Sequence, residues 1–303
     1  MSRSLLLLIA FAFIAIAGRA VEPGDVAGPR ASASGYIKYW PGELPIVLSA
    51  PHNGLRKPDE IPDRAYGVVN ECDHGSENLA LAVRQALIER FGMAPHLIVC
   101  ELARAKVDCN REIEEGAQND ATAQKVWREY HALIDEAEEA VLKKWPHGMY
   151  LDIHSQGHAK RRIEIGYLLK KNEVLMTDEQ LNADPTLAGH SSIRALHKIS
   201  SASFAELLRG PMSLGGLLEE RGVPAIPSPA QVLDPQDPYF FGAYDVLAHG
   251  SRFKDQLDGV QLETPVQVRD TPEHCAATAR ALAESLDVYF EKHYGLKLPG
   301  RKN

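Results

Sequence analysis

Three short segments of this 303-residue chain carry groups able to hold a metal or move a proton. Pro51-His52-Asn53-Gly54 puts an imidazole at a tight turn directly after the apolar run Leu44–Ser49, a rigid place from which a ring nitrogen can bind a cation. Asp152-Ile153-His154-Ser155 repeats the arrangement further along. Strand alternation sends Asp152 and His154 to one side, where the carboxylate can fix the tautomer of a ligand histidine. Between them lies Asp73-His74-Gly75-Ser76-Glu77 at a helix start. An acidic third ligand from this cluster would leave a fourth position open for water. Asp73 is the first choice and Glu77 the alternative, although either acid can instead stabilise the helix N-terminus.

Two further segments could act on a substrate. Arg104 and Asp108-Cys109-Asn110-Arg111 concentrate positive charge and an amide donor in one loop, suited to gripping a carboxylate or stabilising an oxyanion. Glu263 ends an otherwise apolar strand, where a carboxylate can serve as general base toward a metal-activated water. Tyr244 and His249 lie on a Gly-containing loop that can cover a site; ordinary loop packing is the plainer account of both.

The pattern of elements shows how these groups are positioned. Strand-like runs at Leu44–Ser49, Leu97–Cys100, Met149–Ile153, Ile163–Leu169 and Gly259–Glu263 alternate with helical patterns. The helical stretches are Ser76–Gly92, Thr122–Lys144, Ile193–Leu208, a segment ending at Gly222, and Pro272–Tyr294. This alternation predicts an α/β fold with a mostly parallel sheet covered on both faces. Ligands gather at the carboxyl ends of such strands, which is where His52 and His154 fall.

Residues 1–20 read as a secretory leader: Arg3, the apolar run Leu5–Ala17, then small residues at Gly18 and Ala20, with cleavage after Ala20. Export to the periplasm or the medium is expected. Residues 21–35, rich in Gly, Pro, Ala and Ser, read as a flexible lead-in, and 36–303 as one domain. No later run is long and apolar enough to span a membrane. Without Arg3 and Arg19 the chain carries 31 basic against 41 acidic residues, a net −10 that excludes nucleic acid as a partner. The four cysteines contain no CxxC, which argues against a thiolate zinc cluster. Cys72 and Cys109 are the first pair to consider for a disulfide, because each adjoins a site motif; free buried thiols are the alternative.

In order and position, Pro51–Gly54, Arg104, Val107–Arg111, Asp152–Ser155, Gly242-Ala243-Tyr244 with His249-Gly250-Ser251, and Gly259–Glu263 resemble the N-formylglutamate amidohydrolase family. The resemblance runs from about Leu44 to Tyr294. That family is similar to the zinc carboxypeptidases and to the aspartoacylase and succinylglutamate desuccinylase group. The resemblance therefore implies a phosphorylase/hydrolase-like three-layer α/β/α sandwich around one zinc ion. It implies His52 and His154 as ligands, Glu263 as base, Arg104 polarising the scissile carbonyl, and Asn110 with Arg111 holding a substrate carboxylate. Carboxypeptidases carry a Glu three residues after the first ligand His; here that residue is Leu55, so the acidic ligand must be Asp73 or Glu77. The implied reaction is hydrolysis of a C–N amide bond in an N-acyl, formyl-type amino acid or small peptide with a free carboxylate. Export argues against N-formylglutamate itself, a cytoplasmic catabolite. The alternative is a non-catalytic exported protein that binds an anionic small ligand on the same fold.

Overall fold

The computed structural model describes residues 28–65, 68–231, 233–255 and 257–300, so the expected leader lies outside the described residues. The strands are Arg30–Ala31 (β1), Ile37–Trp40 (β2), Ile46–Ala50 (β3), His96–Cys100 (β4), Gly148–Ser155 (β5), Ile163–Gly166 (β6), Ala225–Ile226 (β7) and Leu257–Thr264 (β8). They form one sheet in the order β1-β2-β4-β3-β5-β8-β6-β7. The central run β4-β3-β5-β8 is parallel, and β2 and β6 join it antiparallel. The central strands are buried almost throughout, as a sheet covered on both faces requires. This is the expected mixed, mostly parallel α/β/α arrangement.

Side-chain parity divides each central strand between two cores. Ile46, Leu48, Leu97, Val99, Met149, Leu151, Ile153, Val260 and Leu262 pack with the helices Ser76–Phe91 and Pro272–Tyr289. The alternate positions Val47, Ile98, Cys100, Tyr150 and Leu257 pack with the helix Ala121–Lys144. Ser49, Asp152, His154, Gln261 and Glu263 share the second parity, so polar groups collect on that face toward the carboxyl ends of their strands. The chain leaves β3 through Ser76–Phe91 to β4 on one side, then returns through Ala121–Lys144 to β5 on the other. That reversal opens a crevice at the carboxyl ends of β3 and β5, where His52 and His154 emerge.

Several elements differ from the sequence expectation. β1 falls within the stretch read as a flexible lead-in, because it pairs with β2. The strand expected to run to Leu169 stops at Gly166, against which the backbone of Phe241 and Gly242 packs so closely that a Cβ would lie 2.5 Å from it. The helix expected over Ile193–Leu208 is two, Arg194–Ile199 and Phe204–Arg209; Ser203 starts the second by a reciprocal capping box with Glu206. Tyr244–His249 is a helix rather than a covering loop. The Cys72–Cys109 pairing is not formed: all four thiols are free, and Cys109 instead packs against Cys100 in the second core. Among the described residues no helix is long and apolar enough to cross a membrane.

Two positions test this frame. A Cβ on Gly54 would lie 2.3 Å from the carbonyl carbon of Glu101, so Gly54→Ala is expected to destabilise the fold by ~1–3 kcal/mol in denaturant unfolding. At the start of β4, buried His96 accepts a hydrogen bond at Nδ1 from Gly42 N–H (3.2 Å), and Tyr39 Oη lies 2.7 Å from the same atom. Burial, helped by the Lys144 charge, holds its pKa down at about 4. Because the folded value lies below the unfolded one, stability is complete above about pH 6.5 and is lost as pH falls through 4, by at most about 3 kcal/mol. His96→Asn, which does not titrate, should flatten that part of the acid slope; an unchanged slope refutes the assignment.

Candidate metal centre and its cleft

His52 follows β3 by one residue and is buried. Its Nε2 lies 2.6 Å from Asp108 Oδ1, and since the carboxylate can only accept, the proton sits on Nε2 and the Nδ1 lone pair faces inward. That Nδ1 is buried with no hydrogen-bond partner. His154, near the end of β5, is held the same way, with Nε2 2.7 Å from Asp152 Oδ2. Its Nδ1 faces Asp73 Oδ2 at 2.9 Å, and His52 Nδ1 stands 3.6 Å from the same oxygen, beyond hydrogen-bonding reach. Three lone-pair donors thus converge within 4.8 Å, an arrangement that is repulsive unless a proton or a cation lies among them. One orphaned imidazole nitrogen, a second imidazole and a carboxylate make a donor set that fits a divalent metal.

Local contacts explain why Asp73 reaches the histidines. Asp73 N–H donates to the His52 carbonyl at 3.0 Å, pinning the two loops together. Asn53 accepts from Gly75 N–H and donates to Glu77 Oε2 at 3.2 Å, which occupies Glu77 and leaves Asp73 as the acid brought to the imidazoles. Burial alone would raise the Asp73 pKa, but the two imidazoles beside it, His154 first, hold it well below the carboxylate range. His154 is pushed up instead: burial opposes its charge, and Asp152 and Asp73 outweigh that.

The carboxylates behind the histidines are themselves braced. Arg104 Nε donates to Asp108 Oδ2 at 2.8 Å, and Arg64 approaches the same oxygen at 3.4 Å. Ser49 Oγ donates to Asp152 Oδ1 at 2.7 Å and also contacts Tyr150 Oη. Arg104 Nη1 lies 4.0 Å from Asp73 Oδ1. Glu263 sits opposite His154 in the β5–β8 register. Burial pushes its pKa up to about 8, against the lowering charge of His154 and with Asp73 and Asp152 adding to the rise. Gln261 Nε2 donates to Glu263 Oε1 at 2.8 Å.

The other expected substrate residues are engaged by neighbours within the fold. Asn110 is buried, its amide nitrogen 3.1 Å from His154 Nε2 and 3.3 Å from Gln261 Oε1, and its oxygen accepts from Asp245 N–H. Arg111 donates to the Asn110 carbonyl and pairs with Glu115. Tyr244 packs on Trp127 and His131, and buried His249 lies between His131 and Glu138. None of these four lines the cleft of about 690 Å³ that opens over Asp73 and Arg104. Its outer wall comes instead from Ser155–Ala159, Arg161, Phe240 and Val266. Sequence reasoning missed Asp108 as the partner of His52, and also Gln261. Asp108 stands in the segment Asp108–Arg111, with nothing in the sequence to link it to a histidine 56 positions away.

Comparison with known proteins bears on the fold. No family model and no curated protein matches the chain. The structure is similar to N-formylglutamate amidohydrolase from Ralstonia eutropha JMP134, with TM-score 0.51 and 15% identity over 86% of this chain and 99% of that one. More distant likenesses are succinylglutamate desuccinylase from Chromobacterium violaceum (TM-score 0.37, 12% identity, 94% and 75% covered) and the N-acetylmuramyl-L-alanine amidase from Mycobacterium smegmatis (TM-score 0.37, 13%, 80% and 95%). At these identities the first likeness establishes a shared fold.

Proposed function

We propose that this chain is a zinc-dependent hydrolase of a C–N amide bond in an N-acyl amino acid or small peptide with a free carboxylate. The observation that carries this reading is the buried, unpartnered Nδ1 of His52, aimed at Asp73 and His154 with both imidazoles locked in the same tautomer. The shared fold with an N-formylglutamate amidohydrolase supports amide chemistry. His52, Asp73 and His154 would hold the ion and leave a position open. When bound, zinc supplies a water of lowered pKa and polarises a carbonyl.

The chain's own groups do the rest. Glu263 takes the water proton as the oxygen–carbon bond forms, then returns it to the amide nitrogen as the carbon–nitrogen bond breaks. A buried carboxyl whose pKa is raised toward neutrality is suited to both transfers. Arg104, fixed by Asp108, presents its remaining N–H groups beside Asp73, where they can meet negative charge developing on the carbonyl oxygen.

Metal content and kcat measured side by side separate ligand from base. His52→Ala should lose the metal and all turnover. Glu263→Gln should keep zinc near one per chain while kcat falls by roughly 10² or more. Zinc retained in His52→Ala, or near-normal kcat in Glu263→Gln, refutes the corresponding role. The leader read at residues 1–20 supports a site of action outside the cytoplasm. Mass spectrometry of the exported protein should find Val21 at the N-terminus, and an intact Met1 on a cytoplasmic product would overturn that placement.

A further inference from the structure

The cleft continues outward from Asp73 and Arg104 to a wall that the metal centre does not account for. Phe240, 43% exposed, stacks flat on His158 with ring centroids 4.7 Å apart and planes 8° from parallel. Both are held by one buried carboxylate: Glu164 Oε1 lies 2.7 Å from His158 Nδ1, and Oε2 accepts the Phe240 N–H at 2.8 Å. Glu164 in turn sits opposite Glu263 in the β6–β8 register. The aromatic pair is therefore anchored to β6, the strand that pairs with the one carrying the proposed base. Exposed Val266 lines the same cleft.

The cationic side chains nearby are spoken for, with one exception. Lys160 and Arg162 both pair with Asp237, at 2.6 and 2.8 Å. Arg269 donates to backbone carbonyls of Thr264 and His74, and Arg104 is bound to Asp108. Arg161, exposed at the cleft wall, makes no ion pair or hydrogen bond among the described residues. An apolar wall beside one free guanidinium is complementary to a large apolar side chain next to a carboxylate. Arg269, the other guanidinium of this wall, has N–H groups committed to backbone carbonyls, which leaves Arg161 as the wall's cation with its whole fork open among the described residues.

We infer that Arg161 and the Phe240–His158 pair form the outer specificity subsite, which takes the carboxylate and an aromatic or large aliphatic side chain of an N-acylated residue. This rests on the amide-hydrolase reading for its orientation, with the acyl end toward Asp73. It gives Arg161 the role first expected of Arg111, which lies off the cleft. The free exposure of Phe240 also acquires a reason: it is covered when the ligand is bound.

Calorimetric binding to zinc-loaded Glu263→Gln protein tests the subsite without requiring turnover. N-acetylphenylalanine should bind at least tenfold more tightly than N-acetylglutamate or N-acetylphenylalanine amide. Arg161→Ala should abolish the advantage over the amide, and Phe240→Ala the advantage over glutamate. In the otherwise wild-type enzyme both substitutions should raise KM and leave kcat and zinc content unchanged. Equal affinity for the three ligands, no detectable binding, or Arg161→Ala within twofold of the parent protein would each overturn the inference. Arg161-dependent binding with no hydrolysis of any N-acyl substrate would uphold the subsite and refute the enzymatic reading instead.

Discussion

Two buried carboxylates, Asp108 and Asp152, each accept a hydrogen bond from the Nε2 of a histidine, and the rest of the site depends on those two bonds. They turn both Nδ1 atoms toward Asp73, where the electron pairs repel one another unless a proton or a cation lies among them. Burying carboxylates is costly unless each is well hydrogen-bonded. Here the cost is offset by Arg104 and Arg64 on Asp108 and by Ser49 on Asp152. Removing one brace would therefore act on the candidate metal centre through a histidine rather than directly.

The sheet supplies the rigidity these contacts need. Because β3 has its successors on opposite sides, no strand crosses the crevice above its carboxyl end, and His52 and His154 can approach to a ring separation of 4.9 Å. Parity then keeps Ser49, Asp152, His154, Gln261 and Glu263 on one face, while the same strands send mainly apolar side chains to the other. Stability and chemistry thus come from the two faces of the same strands. A register slip of one residue would exchange them, which the apolar core forbids.

The antiparallel entry of β6 beside β8 extends the polar face outward. Glu164 and Glu263 meet across that pair, one serving the rim aromatics and the other the centre. The wall of the cleft and its floor are in this way built on adjacent backbone, and the distance between them is set by hydrogen-bonded strands rather than by loops.

The sequence by itself determined the alternating strands and helices, and it put His52, His154 and Asp152 at strand ends, because each position follows from local signals: an apolar run, a turn after it, and period-two alternation. It also restricted the acid to Asp73 or Glu77, and contacts of Asn53 settled which of these meets the histidines. The helix Tyr244–His249 was hidden because six residues flanked by Gly242 and Gly250 carry too little periodicity to distinguish a helix from a loop. Only the tertiary structure decided that Asp108 serves His52, that Cys109 meets Cys100, that Asn110 is consumed inside the fold, and that Arg161 rather than Arg111 faces the cleft. Those outcomes depend on which loops converge at the switch point and on which charges find partners there, and a long-range pairing leaves no periodic trace in the chain.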